Sequence, residues 1–298
     1  MKQVLALAAV LMVAGAALYY AQHRRHADAV SANAVIDIAA DWQHDISRVP
    51  LRVTRISDEK EQLIGDELAQ QYESEESAKG PEERATEHYI ESIGKRVASH
   101  AQRKLPWRFH LIADANLINA FALPGGHVFV GQGLLDRITS EDELAFVLGH
   151  EIEHIDHYHA VARVQIEAQL KELSLEVVAE IAQIPITLWQ AGYSKDEEME
   201  ADREGLRLSA TAGYSATGAV NLLQRWTQLR REYVIHAETP TEELSQLAID
   251  SLQGYFRSHP LPSERLAQTN EVIAHDHLST NQSLKPFHVE YEITSSQR

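Results

Sequence analysis

Five consecutive residues, His150-Glu151-Ile152-Glu153-His154, constrain this chain more than any other feature. They follow the apolar run Leu144-Ala145-Phe146-Val147-Leu148. Leu144, Val147, Leu148 and Ile152 recur at helical spacing, and Ser140 with Glu143 reads as a capping box opening the same helix. The spacing therefore predicts a helix over about 140–159, apolar on one side. Residues four apart share a helical face, so the imidazoles of His150 and His154 can converge on one metal ion. Glu151 sits one residue after the first of them, where its carboxylate can serve as a general base toward a water at the metal.

Such a site needs a third protein ligand and an open fourth position. Glu198-Met199-Glu200-Ala201-Asp202, inside a helix predicted over about 194–212, supplies carboxylates four apart on one face. One can bind the metal while the other holds the far nitrogen of a liganding imidazole. Glu200 points elsewhere and reads as a solvated charge. His157 shares the face of His150, but three histidines at i, i+4 and i+7 span about 10 Å of helix axis and cannot meet at one ion. Glu153 and His159 face away, and with His157 they read as surface residues.

The rest of the chain is mostly helical in pattern. Helices are expected from Ser57, with Leu63, Ile64, Leu68 and Tyr72 inward, and over 82–102, with Tyr89, Ile90, Ile93 and Val97 inward. Trp107–Ile112 alternates as a strand, and residues 117–130 read as a hairpin turning at Pro124-Gly125-Gly126. Further helices are expected over about 162–182 and 216–233. Residues 234–256 show less pattern.

Composition narrows the chemistry. A net charge of -17 removes nucleic acid from the candidate partners. With no cysteine there is no disulfide framework, thiolate metal site, thiol catalysis or lipid-modified Cys, so any metal is held by His, Asp and Glu. Val4 to Ala21 carries no charge and is bounded by Lys2 and by Arg24 and Arg25. It reads as an export signal, cleaved or retained as an anchor, with Tyr19 and Tyr20 suited to a membrane interface. Residues 1–21 are thus a signal peptide or signal anchor, 22–50 a linker, 51–278 a catalytic domain and 279–298 a C-terminal tail.

Four ordered motifs together resemble a known family. His150-Glu151-Ile152-Glu153-His154, Glu198-Met199-Glu200-Ala201-Asp202, the stretch Asn119–Gly126 and Ser258–Arg265 are similar to the gluzincin metallopeptidases that include the CAAX prenyl protease, HtpX and BepA (metallopeptidase family 48). The similarity spans about residues 57–270. It implies one Zn2+ per chain held by His150, His154 and Glu198, with Glu151 as catalytic base and Asp202 supporting a ligand. It implies that Asn119, Ala120, Phe121, Ala122, Gly125 and Gly126 line the cleft, where an edge strand pairs with substrate backbone. His259 falls where some members place a residue that swings onto the metal, and Arg265 where a basic residue lies near the cleft and steadies the transition state. Helical repeats after the catalytic domain and multiple membrane spans, both found in relatives, have no counterpart here. The resemblance is to small, single-anchor members facing the bacterial periplasm, and prenyl-peptide cleavage is not implied.

The expectation is a mainly α fold with a small β-sheet, a zincin-type domain with the metal site on a central helix. The function implied is a zinc-dependent metalloendopeptidase acting on protein or peptide substrates of the cell envelope. The alternative is a membrane-tethered, chaperone-like binding protein with a latent or structural zinc site. Oligomeric state is not legible.

Overall fold

The computed structural model describes residues 56–75, 80–170, 193–234, 262–280 and 283–287. The N-terminal apolar segment, the linker, residues 171–182 of an expected helix and His259 lie outside the described residues. Among the described residues, no helix is long and apolar enough to cross a membrane.

The order is α1 (Asp58–Glu75), α2 (Pro81–Ala98), β1 (Arg108–Ile112), β2 (Ala120–Leu123), a 3-10 turn at Pro124–Gly126 and β3 (His127–Gly131). There follow a short α3 (Gln132–Leu135), α4 (Glu141–Asp156), α5 (His159–Leu170), α6 (Lys195–Thr211), α7 (Ala216–Val234) and α8 (Pro262–Asp276). Helices with one three-stranded sheet are the class the sequence predicts, with the motif helix at the centre.

The sheet has the order β1-β3-β2. β1 runs parallel to β3, and β2 pairs antiparallel with it from Ala120 opposite Val130 to Leu123 opposite His127. The hairpin is thus the predicted one. Its turn requires glycine, because Gly125 has φ 77° and a Cβ there would lie 2.8 Å from the Cα of Gln62. The buried Glu61 of α1 accepts the Gly125 N–H at 3.1 Å and receives the Arg103 guanidinium at 2.6 Å, tying α1 to the turn.

Both faces of the sheet are covered, which is why β2 and β3 are buried throughout rather than alternating. Phe121, Leu123 and Phe129 pack with Ile64, Leu68 and Tyr72 of α1. Ala120, Ala122, Val128 and Val130 join the main core with Leu144, Leu148 and Ile152 of α4. The small alanines of β2 give α4 room to lie against the sheet. α2, α6 and α7 pack on the remaining sides of α4.

Several boundaries differ from the spacing-based expectation. Leu63 is exposed although Ile64, Leu68 and Tyr72 are buried, so the α1 stripe is narrower than predicted. α2 stops at Ala98. Ser140 caps α4 by accepting the Glu143 N–H, but the Glu143 carboxylate takes Thr139 and Arg225 instead of reaching back, so the box is half formed. α4 ends at Asp156, and α5 begins at His159. α8 is a helix that the spacing-based expectation leaves out. Residues 283–287 lie against the start of α4, where the Asp142 carboxylate accepts the N–H groups of Ser215 and Lys285, each at 2.7 Å.

Candidate metal centre

α4 and α6 cross at two glycines. A Cβ on Gly149 would lie 2.6 Å from the Gly205 carbonyl oxygen, and one on Gly205 would lie 2.6 Å from the His150 backbone nitrogen. Glycine at both positions lets the backbones touch, and that contact brings the carboxylates of α6 to the imidazoles of α4. Ser194 starts α6 with a complete capping box through Glu197. The residue before it, Tyr193, donates its N–H to Glu198 Oε1 at 3.1 Å.

His150 Nε2 and His154 Nε2 are 3.1 Å apart. Glu198 closes the triangle, 3.4 Å from His150 Nε2 through Oε2 and 3.6 Å from His154 Nε2 through Oε1. Ligands about 2.0–2.1 Å from one tetrahedral ion stand about 3.3 Å from each other, and here one donor atom from each of the three residues lies within 4.8 Å of the others. Among the described residues, this is the one group of three or more His, Cys, Asp or Glu whose donor atoms converge in this way. All three are buried. Two imidazoles and a carboxylate are the donor set of an open, reactive site rather than a closed structural one.

The nitrogens facing away are also engaged. His150 Nδ1 is 2.9 Å from Asp202 Oδ1, and Arg265 donates to both oxygens of that carboxylate, through Nε and Nη2, each at 2.6 Å. Burial pulls the His150 imidazole downward, but Asp202 and Glu198 outweigh it and raise its pKa to about 10. Asp202 is held below the usual carboxylate range: burial opposes this, and Arg265 and His150 prevail. A cation entering between His150 and Glu198 therefore displaces a proton.

Glu151 is buried, and that burial, reinforced by Glu198, pushes its carboxyl up to about 7 against the opposing charge of His150. A carboxylate poised near neutrality is suited to take and return protons at physiological pH.

The residues predicted for the site thus fall into three groups. His150, Glu151, His154, Glu198 and Asp202 come together. Arg265 of α8 stands behind Asp202, with both of the bonds given above directed at that carboxylate. His259 lies outside the described residues. β2, the other edge of the sheet from β1, carries Ala120, Phe121 and Ala122. Asn119 precedes it, and Gly125 and Gly126 form its turn, all of them buried.

Three residues contradict their sequence-based placement or escaped notice. Glu153 is buried, not on the surface, and burial with nearby Asp156, Glu204 and Glu200 raises its carboxyl to about 8. His159 is buried too, with Nδ1 3.0 Å from His154 Nδ1. Tyr193 lies flat on the His154 ring, centroids 3.8 Å apart and planes 18° from parallel. On Tyr193 sits the Arg163 guanidinium, 4.3 Å from the ring centre. A lone tyrosine ahead of a helix cap gives no periodic signal by which to find it.

The chain is 31% identical over 201 residues to a putative beta-barrel assembly-enhancing protease of Vibrio cholerae, covering 61% of this chain and 38% of that protein. It is 30% identical over 199 residues to the beta-barrel assembly-enhancing protease of Escherichia coli, covering 60% and 37%. It is 27% identical over 222 residues to the mitochondrial metalloendopeptidase OMA1 of Schizosaccharomyces pombe, covering 72% and 60%. The chain matches little more than a third of the length of the two bacterial relatives. The model of peptidase family M48 matches residues 84–273, more than half of the chain and the whole of the α4–α6 centre, and the chain belongs to that family of metallopeptidases.

Proposed function

We propose that this chain is a zinc-dependent endopeptidase acting on proteins of the bacterial cell envelope. The observation that carries this reading is the convergence of His150, His154 and Glu198 with the buried Glu151 beside them. Zinc, when bound by those three donors, polarises a peptide carbonyl and lowers the pKa of water toward neutrality. Glu151 accepts the proton of the attacking water and delivers it to the departing amine. Asp202 keeps the His150 proton on Nδ1, which leaves Nε2 as a lone-pair donor toward the ligand triangle. Arg265 is a positioning residue in this scheme, because its fork fixes both oxygens of Asp202.

Kinship with proteases named for β-barrel assembly and the uncharged segment from Val4 to Ala21 support envelope proteins as substrates. On this reading residues 1–21 export or anchor the chain, 22–50 form a linker and 51–278 the protease domain. The domain then faces the periplasm from the inner membrane, or is free in the periplasm if the segment is removed. Asn119–Gly126 offers the strand against which substrate backbone aligns. His259 is the candidate for the fourth metal position at rest.

The test is Glu151→Gln, assayed for zinc content and casein cleavage. The variant is expected to retain zinc and to lose about 10²–10⁴-fold in rate. Cleavage at the wild-type rate would sink the assignment of Glu151, and a zinc-loaded wild type inert toward all unfolded proteins would favour the binding-protein alternative.

A further inference from the structure

We propose that His159 is a positioning residue of the metal centre, accepting the Nδ1–H of His154 and passing its own Nε2–H to Glu200. This inference rests on the assignment of His154 as a ligand through Nε2. The contacts are 3.0 Å between the two Nδ1 atoms and 3.4 Å from His159 Nε2 to Glu200 Oε2.

Two neutral imidazoles facing each other through Nδ1 have only one donor between them. If His159 were the donor, the proton of His154 would sit on Nε2, the nitrogen that faces His150 and Glu198, and ligation there would be blocked. If His154 is the donor, Nε2 is free to ligate and His159 carries its proton on Nε2, where a carboxylate waits. Ligation thus selects one of the two proton arrangements, and Glu200 favours the same one.

Packing alone does not account for the arrangement. Tyr193, stacked on His154, fixes the plane of that ring but not its sense, because a half-turn about Cβ–Cγ keeps the plane and exchanges Nε2 with Cε1. A hydrogen bond at Nδ1 removes that freedom and aims Nε2. The chain also takes up strain to put His159 there. α4 stops at Asp156, Tyr158 adopts φ 65°, and the backbone folds back so that His159 lies beneath His154. A left-handed aromatic residue is strained and persists only where its surroundings hold it. Here Arg103 stacks over the Tyr158 ring at 4.1 Å and donates to the Ile155 carbonyl at 2.8 Å. The Asp156 carboxylate accepts the N–H groups of Gln102 and Arg103.

The experiment compares the wild type with His159→Phe, which keeps a ring and loses both nitrogens, and His159→Asn, which keeps a short acceptor. Zinc affinity is measured by competition with a chromophoric chelator, and the visible bands of the cobalt-loaded proteins report ligand geometry. His159→Phe is expected to bind zinc about 10–100-fold more weakly and to shift the cobalt bands. His159→Asn should recover most of the loss. In the zinc-loaded wild type, nitrogen NMR of the histidines should find His159 protonated on Nε2 alone, a measurement that stands even if a variant misfolds. Wild-type affinity and an unchanged cobalt spectrum in a folded His159→Phe protein would overturn the inference, as would a proton on His159 Nδ1. A wild type that takes up no zinc would overturn the metal assignment itself, which separates the two failures.

Discussion

His150 and His154 present the same imidazole four residues apart, yet the protein backs them in opposite ways. Behind His150 stand Asp202 and Arg265, each with a side chain only 1% exposed, joined by two charge-assisted hydrogen bonds. Behind His154 stands His159, a neutral partner, and beyond it Glu200, whose side chain is 41% exposed. One support is ionic and sealed in the core, and the other is neutral and reaches solvent within two residues. A buried ion pair is rigid but destabilising to break, whereas a contact to an exposed charge contributes little. The two arms should therefore fail differently, one by unfolding the domain and the other by loosening the metal.

The largest effect expected is on the sealed arm. Asp202→Ala leaves the Arg265 guanidinium in the core without its carboxylate, and removing one partner of a buried pair costs about 3–5 kcal/mol. In a domain of this size that corresponds to a fall in Tm on the order of 10 °C, measured by calorimetry. Adding Arg265→Leu should return part of the stability but none of the zinc affinity, because His150 still lacks its partner. If Asp202→Ala melts no earlier than His159→Phe, the contrast between the arms is wrong.

Next is the crossing that serves both arms. Gly205→Ala would place a methyl group 2.6 Å from the His150 backbone nitrogen and 2.7 Å from the Gly149 carbonyl carbon. Backbone atoms cannot swing aside as a side chain can, so α4 and α6 must separate, at about 1–3 kcal/mol. Because Glu198, Glu200 and Asp202 all ride on α6, zinc affinity should drop together with Tm. A Gly205→Ala protein of normal affinity would show that the two arms do not depend on this contact.

The arms also differ in how much of each could be read beforehand. His150, Glu151 and His154, and the pair Glu198 and Asp202, are spaced within uninterrupted helices, where 3.6-residue periodicity assigns faces correctly. The hairpin is legible because Pro124-Gly125-Gly126 has a conformational meaning. The second arm breaks that logic. Extending the helix to residue 159 carries His159 to the wrong side, since periodicity holds no information about a left-handed Tyr158 or the Arg103 that holds it. Glu153 escapes it for another reason: which face of α4 is covered depends on α6, some 40 residues later, and one helix does not reveal its neighbours. Arg265 is reachable only by family resemblance, because nothing local in α8 points to Asp202.

The smallest effect tests where the open arm ends. Glu200→Gln keeps the size of the side chain and removes the charge, leaving His159 Nε2–H facing an amide oxygen. A contact to an exposed charge is weakened by water and worth about 1 kcal/mol or less, so zinc should bind at most about fivefold more weakly, with Tm nearly unchanged. Salt should shrink even this difference, because the charge reaches solvent where counterions screen it. The same salt should leave the effect of changing Asp202 intact, since no counterion reaches that carboxylate. Chelator competition at low and high ionic strength measures both. A Glu200→Gln protein as weak in zinc binding as His159→Phe would mean that the carboxylate, rather than the imidazole, sets the orientation of His154, and the open arm would then be ionic after all.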